Sequence, residues 1–228
     1  MKRIIALLVL VSVPLLMGFG GGAPQEQQPA EQASYPYLLD NFEDGNYVSG
    51  PEWYVFDNIK LTMEKNSKLT AGDQSVVANA GTYSLNIKGN TTGWYVGGMG
   101  AVLDMDATKY DSFNIDIYGN GDKSGKIKIE LYDDDNGNKD IEVDKNYIPL
   151  YDDLWAYEID VNWTGWKHLS IPFSKFTLTN KGRGNGTLDP DLKNGSGGLV
   201  KVQIICVATS EVGSVNYNID DLELGAKK

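Results

Sequence analysis

The chain has 228 residues, 41% of them hydrophobic, and a formal net charge of −11 at pH 7. That apolar fraction allows one sizeable core, while the acidic balance argues against nucleic acid or an anionic membrane surface as partner. A single cysteine, Cys206, and a single histidine, His168, cannot build an intrachain disulfide framework or a multi-ligand zinc site.

In chain order, Lys2 and Arg3 precede an apolar run from Ile4 to Met17, and small residues Gly18, Gly20, Gly21, Gly22 and Ala23 follow. That layout predicts a secretory signal peptide over residues 1–22. The run is shorter than the ~20 residues of a bilayer-spanning helix. A mature chain without a transmembrane segment is therefore expected, exported to the periplasm or the extracellular space. Residues 23–36 are rich in Pro, Gln and Glu and show no apolar period, which predicts a flexible linker. The folded domain is expected over residues 37–225.

Beyond Tyr37 the dominant pattern has period two. Tyr83, Leu85 and Ile87 alternate with polar residues, as do Phe113, Ile115 and Ile117, then Ile127, Ile129 and Leu131. Trp155, Tyr157, Ile159 and Val161 repeat the pattern, followed by Leu169, Ile171 and Phe173. Val200–Ala208 is a more fully apolar run, and Tyr217–Leu224 closes the series. Each predicts a strand with one face on a core. Gly119-Asn120-Gly121-Asp122 and Asp135-Asn136-Gly137-Asn138 supply the turn chemistry between them. No window of helical length carries apolar spacing of three and four, so at most a turn or two of helix is expected. The fold class is all-β, an antiparallel sandwich or barrel. Asn180–Gly198 (NKGRGNGTLDPDLKNGSGG) is expected to be a mobile loop.

A catalytic centre is not expected. His168 alternates with inward-facing Leu169 and Ile171, which places it on the surface. Cys206 lies inside an apolar run and reads as a small buried hydrophobe. A pair of glycosidase carboxylates is not excluded by counting, but Asp133-Asp134-Asp135 and Asp152-Asp153 read as solvated turns. The acidic turn does not fit an EF-hand either: with Gly137 at the sixth loop position, Tyr132 and Val143 fall at the first and twelfth. Aromatic residues are in surplus, with 5 Trp and 13 Tyr. Trp94-Tyr95 follow a Thr- and Gly-containing turn, and Tyr118 and Tyr132 fall on the polar faces of their strands. Sugar rings combine apolar C–H faces with hydroxyl rims, so aromatic platforms beside Asp, Asn and Gln suit them.

Several segments carry a resemblance: Leu39–Gly45 (LDNFEDG), Trp155-Ala156-Tyr157, Gly165–Phe176 (GWKHLSIPFSKF) and Tyr217–Leu224 (YNIDDLEL). In these the chain resembles family-eleven carbohydrate-binding modules and the related complex-I intermediate-associated domains, from about Leu38 to Leu224. The resemblance implies a galactose-binding-like jelly roll, a β-sandwich of two antiparallel sheets with one concave, ligand-facing sheet. It places Trp94, Tyr95 and Tyr157 as stacking platforms and Asp116 as a polar-face hydroxyl acceptor. Alternation instead groups Tyr157 with Ile159 and Val161 on the core side. The resemblance also implies a structural calcium ion near the two ends of the domain, held by Glu43 and Asp220 with Asp40. One departure is that the family's further binding aromatic has no counterpart in Asn180–Gly198. The expected function is noncatalytic binding of a polysaccharide, β-glucan among them, with a separate glycoside hydrolase or envelope protein as partner. The alternative is a structural or assembly protein of the cell envelope using the same fold for protein contacts.

Overall fold

Alternation along the chain resolves into two stacked sheets in the computed structural model, which describes residues 35–228. The expected signal peptide, and the linker as far as residue 34, lie outside the described residues. The strands are β1 (Tyr37–Asp40), β2 (Tyr54–Asp57), β3 (Ile59–Lys65), β4 (Tyr83–Thr91), β5 (Tyr95–Met105), β6 (Tyr110–Asn120), β7 (Lys126–Asp134), β8 (Asp153–Asp160), β9 (Thr164–Pro172), β10 (Thr177–Leu178), β11 (Gly198–Val207) and β12 (Gly213–Ala226). Sheet I has the order β3-β4-β12-β6-β9, with β1 also paired to β12; sheet II has the order β10-β8-β7-β11-β5-β2. Strand neighbours in both sheets are antiparallel. The chain is thus the all-β sandwich that period two predicts.

The core is the sum of the inward-facing positions. Leu85, Ile87, Phe113, Ile115, Ile117, Tyr217 and Ile219 of sheet I meet Met99, Ile127, Ile129, Leu131, Val202 and Ile204 of sheet II, all fully buried. Each such side chain contributes about 1.5–3 kcal/mol of burial. Cys206 is among them, its sulfur 3.0 Å from the Tyr217 hydroxyl, and burial pushes its thiol up to about 12. It is therefore a packed, inert thiol.

Among the described residues, helix is confined to α1 (Gln74–Asn79) and two short 3-10 turns, Asn66–Lys68 and Phe173–Lys175. Asp73 starts α1 by accepting the Ser75 N–H at 2.9 Å, and Val76 is the helix's buried residue. No helix among the described residues is long and apolar enough to cross a membrane.

Candidate functional site

The outer face of sheet I is roofed by the segment between β3 and β4. Trp166 on β9 and Tyr118 on β6 are register partners, and their rings meet edge-on with centroids 5.5 Å apart. Val76 and Ala80 close over Trp166, whose indole N–H donates to the Leu69 carbonyl at 2.9 Å. Tyr118, expected at the surface, is therefore half-buried under α1, because the roof supplies apolar partners that strand alternation does not reveal. Beneath the same segment lies a polar layer. Asn86 donates to Asn218, which donates to Ser84, and Asp116 sits 2.7 Å from Nδ1 of His168. Burial raises the Asp116 carboxyl, and the His168 contact opposes the shift.

The outer face of sheet II carries a different arrangement, fixed by strand register. Tyr54 pairs with Gly100, Gly100 with Gln203, Gln203 with Glu130, and Glu130 with Ala156, forming one row across five strands. In the next row Phe56, Gly98, Ile205, Lys128 and Glu158 align in the same way. The glycines are required by the rings beside them. A β-carbon on Gly98 would lie 2.6 Å from Cζ of Phe56, and one on Gly100 would lie 2.6 Å from Cζ of Tyr54. The two rings thus lie across β5, stacked with centroids 6.1 Å apart.

Polar groups in this face bond to one another. Gln203 donates from Nε2 to the Tyr54 hydroxyl at 2.9 Å. The Tyr132 hydroxyl lies 2.8 Å from Oε1 of Gln203 and 3.0 Å from Oε2 of Glu130, so its single proton is shared between two acceptors. Oε1 of Glu130 pairs with Nζ of Lys128 at 2.7 Å. Nζ of Lys201 sits 3.9 Å from the Tyr132 ring centroid, a cation–π contact. Tyr132 is thus on the outer face, as alternation predicts, but is only 4% exposed because Lys201 covers its ring. Tyr95 reaches the Asp57 carboxylate with its hydroxyl. Burial raises the phenols of Tyr54, Tyr95 and Tyr132, with Asp57 adding to Tyr95 and Glu130 to Tyr132. All three remain protonated and able to donate. Glu130 and Gln203 keep lone pairs beyond those in use. The row can accept from and donate to a hydroxyl-rich ligand lying on the rings of Tyr54, Phe56 and Tyr95.

Trp94 is exposed at the β4–β5 turn, with φ 41°, and Tyr95 follows it onto the outer face of sheet II. The structure does not bring Asp116 and Tyr157 to them. Asp116 belongs to sheet I under the roof. Tyr157 packs inward against the core, its ring 5.8 Å from that of Phe176, on the side that alternation with Ile159 assigns it. Tyr54, Glu130 and Gln203, which join Tyr95 on the face, were not distinguished by sequence. Gln203 lay within an apolar run, and only the alternation of Lys128 and Glu130 signalled an outward position.

Of the residues expected to hold calcium, Asp40 has both oxygens engaged. One accepts the Phe42 N–H at 2.7 Å and the other the Trp53 indole N–H at 2.8 Å. Glu43 accepts the N–H groups of Thr82 and Tyr83 through Oε1. Asp220 is buried and raised to about 9, first by burial and then by the charge of Asp221. Asn66 donates to Asp220 from Nδ2, and its Oδ1 is buried without a partner. An orphaned oxygen beside a buried carboxylate suits a cation, so Asp220 and Asn66 are the residues of this region that fit an ion.

Among the described residues, the set of three acidic side chains with oxygens mutually within 4.8 Å is Asp133, Asp135 and Asp189. Here the expectation of solvated turns is corrected: Asp133, Asp134, Asp152 and Asp153 are fully buried. The cause is the stretch 180–198, expected to be mobile, which folds back on them. Its N–H groups at Gly186 and Asp189 donate to Asp153 and Asp133 at 2.7 and 2.9 Å.

No family model matches the chain, and no curated protein does. Solved structures do. The family 11 carbohydrate-binding module of a cellulosomal cellulase from Clostridium thermocellum has a TM-score of 0.53 at 19% identity, covering 86% of this chain and 97% of its own. A Clostridium thermocellum family 11 module in complex with a β-1,3-1,4-mixed-linked tetrasaccharide gives 0.51 at 21% identity, over 86% of this chain and 99% of its own. An exo-β-agarase gives 0.53 at 14% identity, over 84% of this chain and 25% of its own. At these identities the likeness is one of fold, and the chain has the jelly-roll sandwich of the family 11 modules that the sequence resembles.

Proposed function

We propose that this chain is a noncatalytic carbohydrate-binding domain and that a polysaccharide lies across the outer face of sheet II. The observation that carries this reading is the register row of Tyr54, Gly100, Gln203 and Glu130, which sets an exposed ring, a half-buried amide and a buried carboxylate side by side on the outer face of the sheet. From β2 to β7 the row spans three strand spacings, about 14 Å, the reach of a short run of sugar units. Gly98 and Gly100 let the rings of Phe56 and Tyr54 lie across β5, where a polymer chain can stack on them. The fold shared with a module seen in complex with a β-1,3-1,4-mixed-linked tetrasaccharide supports β-glucan as the first polymer to try. Such a domain would act by holding a separate glycoside hydrolase or an envelope protein near its polymer, with the chain exported as its opening residues suggest. A second concavity of about 600 Å³ opens between Tyr110, Trp155, Phe173, Phe176 and the 188–191 stretch. It is a pocket and not a track, which suits a compact ligand better than a running polymer.

Native gel electrophoresis of the purified protein through gels laced with mixed-linked β-glucan, xylan, mannan or galactan tests the reading. Retardation of the wild type by at least one polymer is expected. Tyr54→Ala should weaken it about tenfold, near the ~1–1.5 kcal/mol of one lost stack and hydrogen bond, and Trp94→Ala should weaken it less. If the wild type runs freely in every gel, the domain does not bind polysaccharide and the envelope-assembly role takes its place. Retardation that survives Tyr54→Ala and disappears with Phe173→Ala would move the site to the pocket.

A further inference from the structure

The structure assigns a calcium-binding site to Asp133, Asp135, Asp153 and Asp189, where the ion would pin the 180–198 stretch to the ends of β7 and β8. Three observations converge on it. Oxygens of Asp133, Asp135 and Asp189 lie within 4.8 Å of one another, about twice the 2.3–2.6 Å of a calcium–oxygen bond. Asp133 and Asp153 are fully buried, yet Oδ1 of each has no hydrogen-bond partner. Finally, a β-carbon on Gly184 would lie 2.1 Å from Oδ2 of Asp135 and 2.5 Å from Oδ1 of Asp153. The unpartnered oxygen of Asp153 and the carboxylate of Asp135 therefore point into the same small space, which only a glycine leaves open.

Hydrogen bonding alone does not balance this cluster. Backbone N–H groups reach the other oxygens: Asp189 donates to Oδ2 of Asp133, Gly186 to Oδ2 of Asp153, and Asn185 to Oδ2 of Asp135. Those bonds hold the carboxylates in place without neutralising them. The charges acting on Asp133 are those of Asp189, Asp135 and Asp153, all of the same sign. Burial, followed by these neighbours, raises Asp133 to about 8 and Asp135 to about 7. An all-oxygen, carboxylate-rich set favours a hard cation. Its width suits calcium better than magnesium, which needs bonds of about 2.0–2.1 Å and keeps its waters. Four carboxylates from three separate stretches (133–135, 153 and 189) make the ion a cross-link between strands and loop. The site is separate from the one expected near Glu43 and Asp220, which draws on β12 and the segments after β1 and β3.

Calcium titration of the chelator-stripped protein by calorimetry, paired with thermal melts, tests this assignment. The wild type should take up calcium and melt higher with it. Asp189→Asn, a change at a half-exposed position, should remove one equivalent or weaken it at least tenfold. It should also abolish the matching share of the rise in melting temperature. Asp135→Asn should do the same and, without calcium, melt above the stripped wild type because a repelling charge is gone. Asp220→Asn should leave this equivalent intact, which separates the two ends of the molecule. An unchanged calcium count and an unchanged calcium-dependent melt in both Asp189→Asn and Asp135→Asn would overturn the site. So would a wild type that binds no calcium.

Discussion

The two outer faces of this sandwich start from similar strand patterns and end in opposite states. On sheet I, Asp116, Tyr118 and Trp166 point away from the core, yet the segment carrying α1 lies over them with Leu69, Val76 and Ala80 as its apolar side. On sheet II, Tyr54, Gln203, Glu130 and Tyr132 point away from the core and bond to one another in the plane of the face. Alternation tells inward from outward. It does not tell whether outward means solvent, because that depends on whether some other stretch of chain has an apolar stripe to lay there. A face that is to stay open must satisfy its polar groups laterally, and the second one does.

The largest expected effect tests the roof. Trp166 is 1% exposed, and Trp166→Ala should destabilise the domain by about 3–5 kcal/mol, read by urea denaturation. At temperatures where the variant stays folded, its polysaccharide retention should match that of the wild type. A loss below about 1 kcal/mol would mean that the roof contributes little packing.

A carboxylate from each face gives the next contrast. Glu130→Gln keeps the shape but removes the charge that strengthens a hydrogen bond to a sugar hydroxyl. Charged hydrogen bonds contribute about 1.5–3 kcal/mol, so affinity should fall roughly tenfold to a hundredfold by titration calorimetry. Asp116→Asn, under the roof, should change affinity less than about twofold. Equal losses from both variants would merge the two faces into one site and break the comparison.

The smallest effect concerns pH. Beneath the roof, burial and carboxylate neighbours raise Asp220 to about 9 and Asp221 to about 6. A folded value above the unfolded one means that the native state binds protons first. Their contribution is then fully present below about pH 4 and is lost as pH rises through 6 and 9. With divalent ions removed, the protein should melt a few degrees higher at pH 5 than at pH 9. The difference should shrink in Asp220→Asn, measured by scanning calorimetry. A higher melting temperature at pH 9 would contradict the burial of these carboxylates.

How far the sequence reveals these features depends on the range of the interactions involved. Strands β4, β6, β7 and β12 are legible because their period is local, and Tyr95 is legible because a turn precedes it. Strand β5 is harder. Its Gly97, Gly98 and Gly100 look like turn residues, yet Gly98 and Gly100 are mid-strand positions cleared for rings that arrive from β2. The row on sheet II joins Tyr54 to Gln203, 149 residues apart, and only register across the sheet creates it. The same holds for the aspartates at 133–135 and 152–153. Read locally they are polar turns, and a distant glycine-rich stretch turns them into an interior. Tyr157 shows the local rule prevailing, since its alternation with Ile159 places it inward, as observed.

Pairing of the first strand with the last has a mechanical consequence. Tyr37 faces Leu224 across β1 and β12, so the chain enters and leaves the sandwich about one strand spacing apart, near 4.8 Å. Tension applied between those two points would peel the ladder open one hydrogen bond at a time, the weakest way to load an antiparallel pair. Tension between either point and something gripping the face of sheet II would instead run through the packed interior, where many contacts must yield together. A domain wired in this way resists being dragged off its anchor better than being stretched from its own ends.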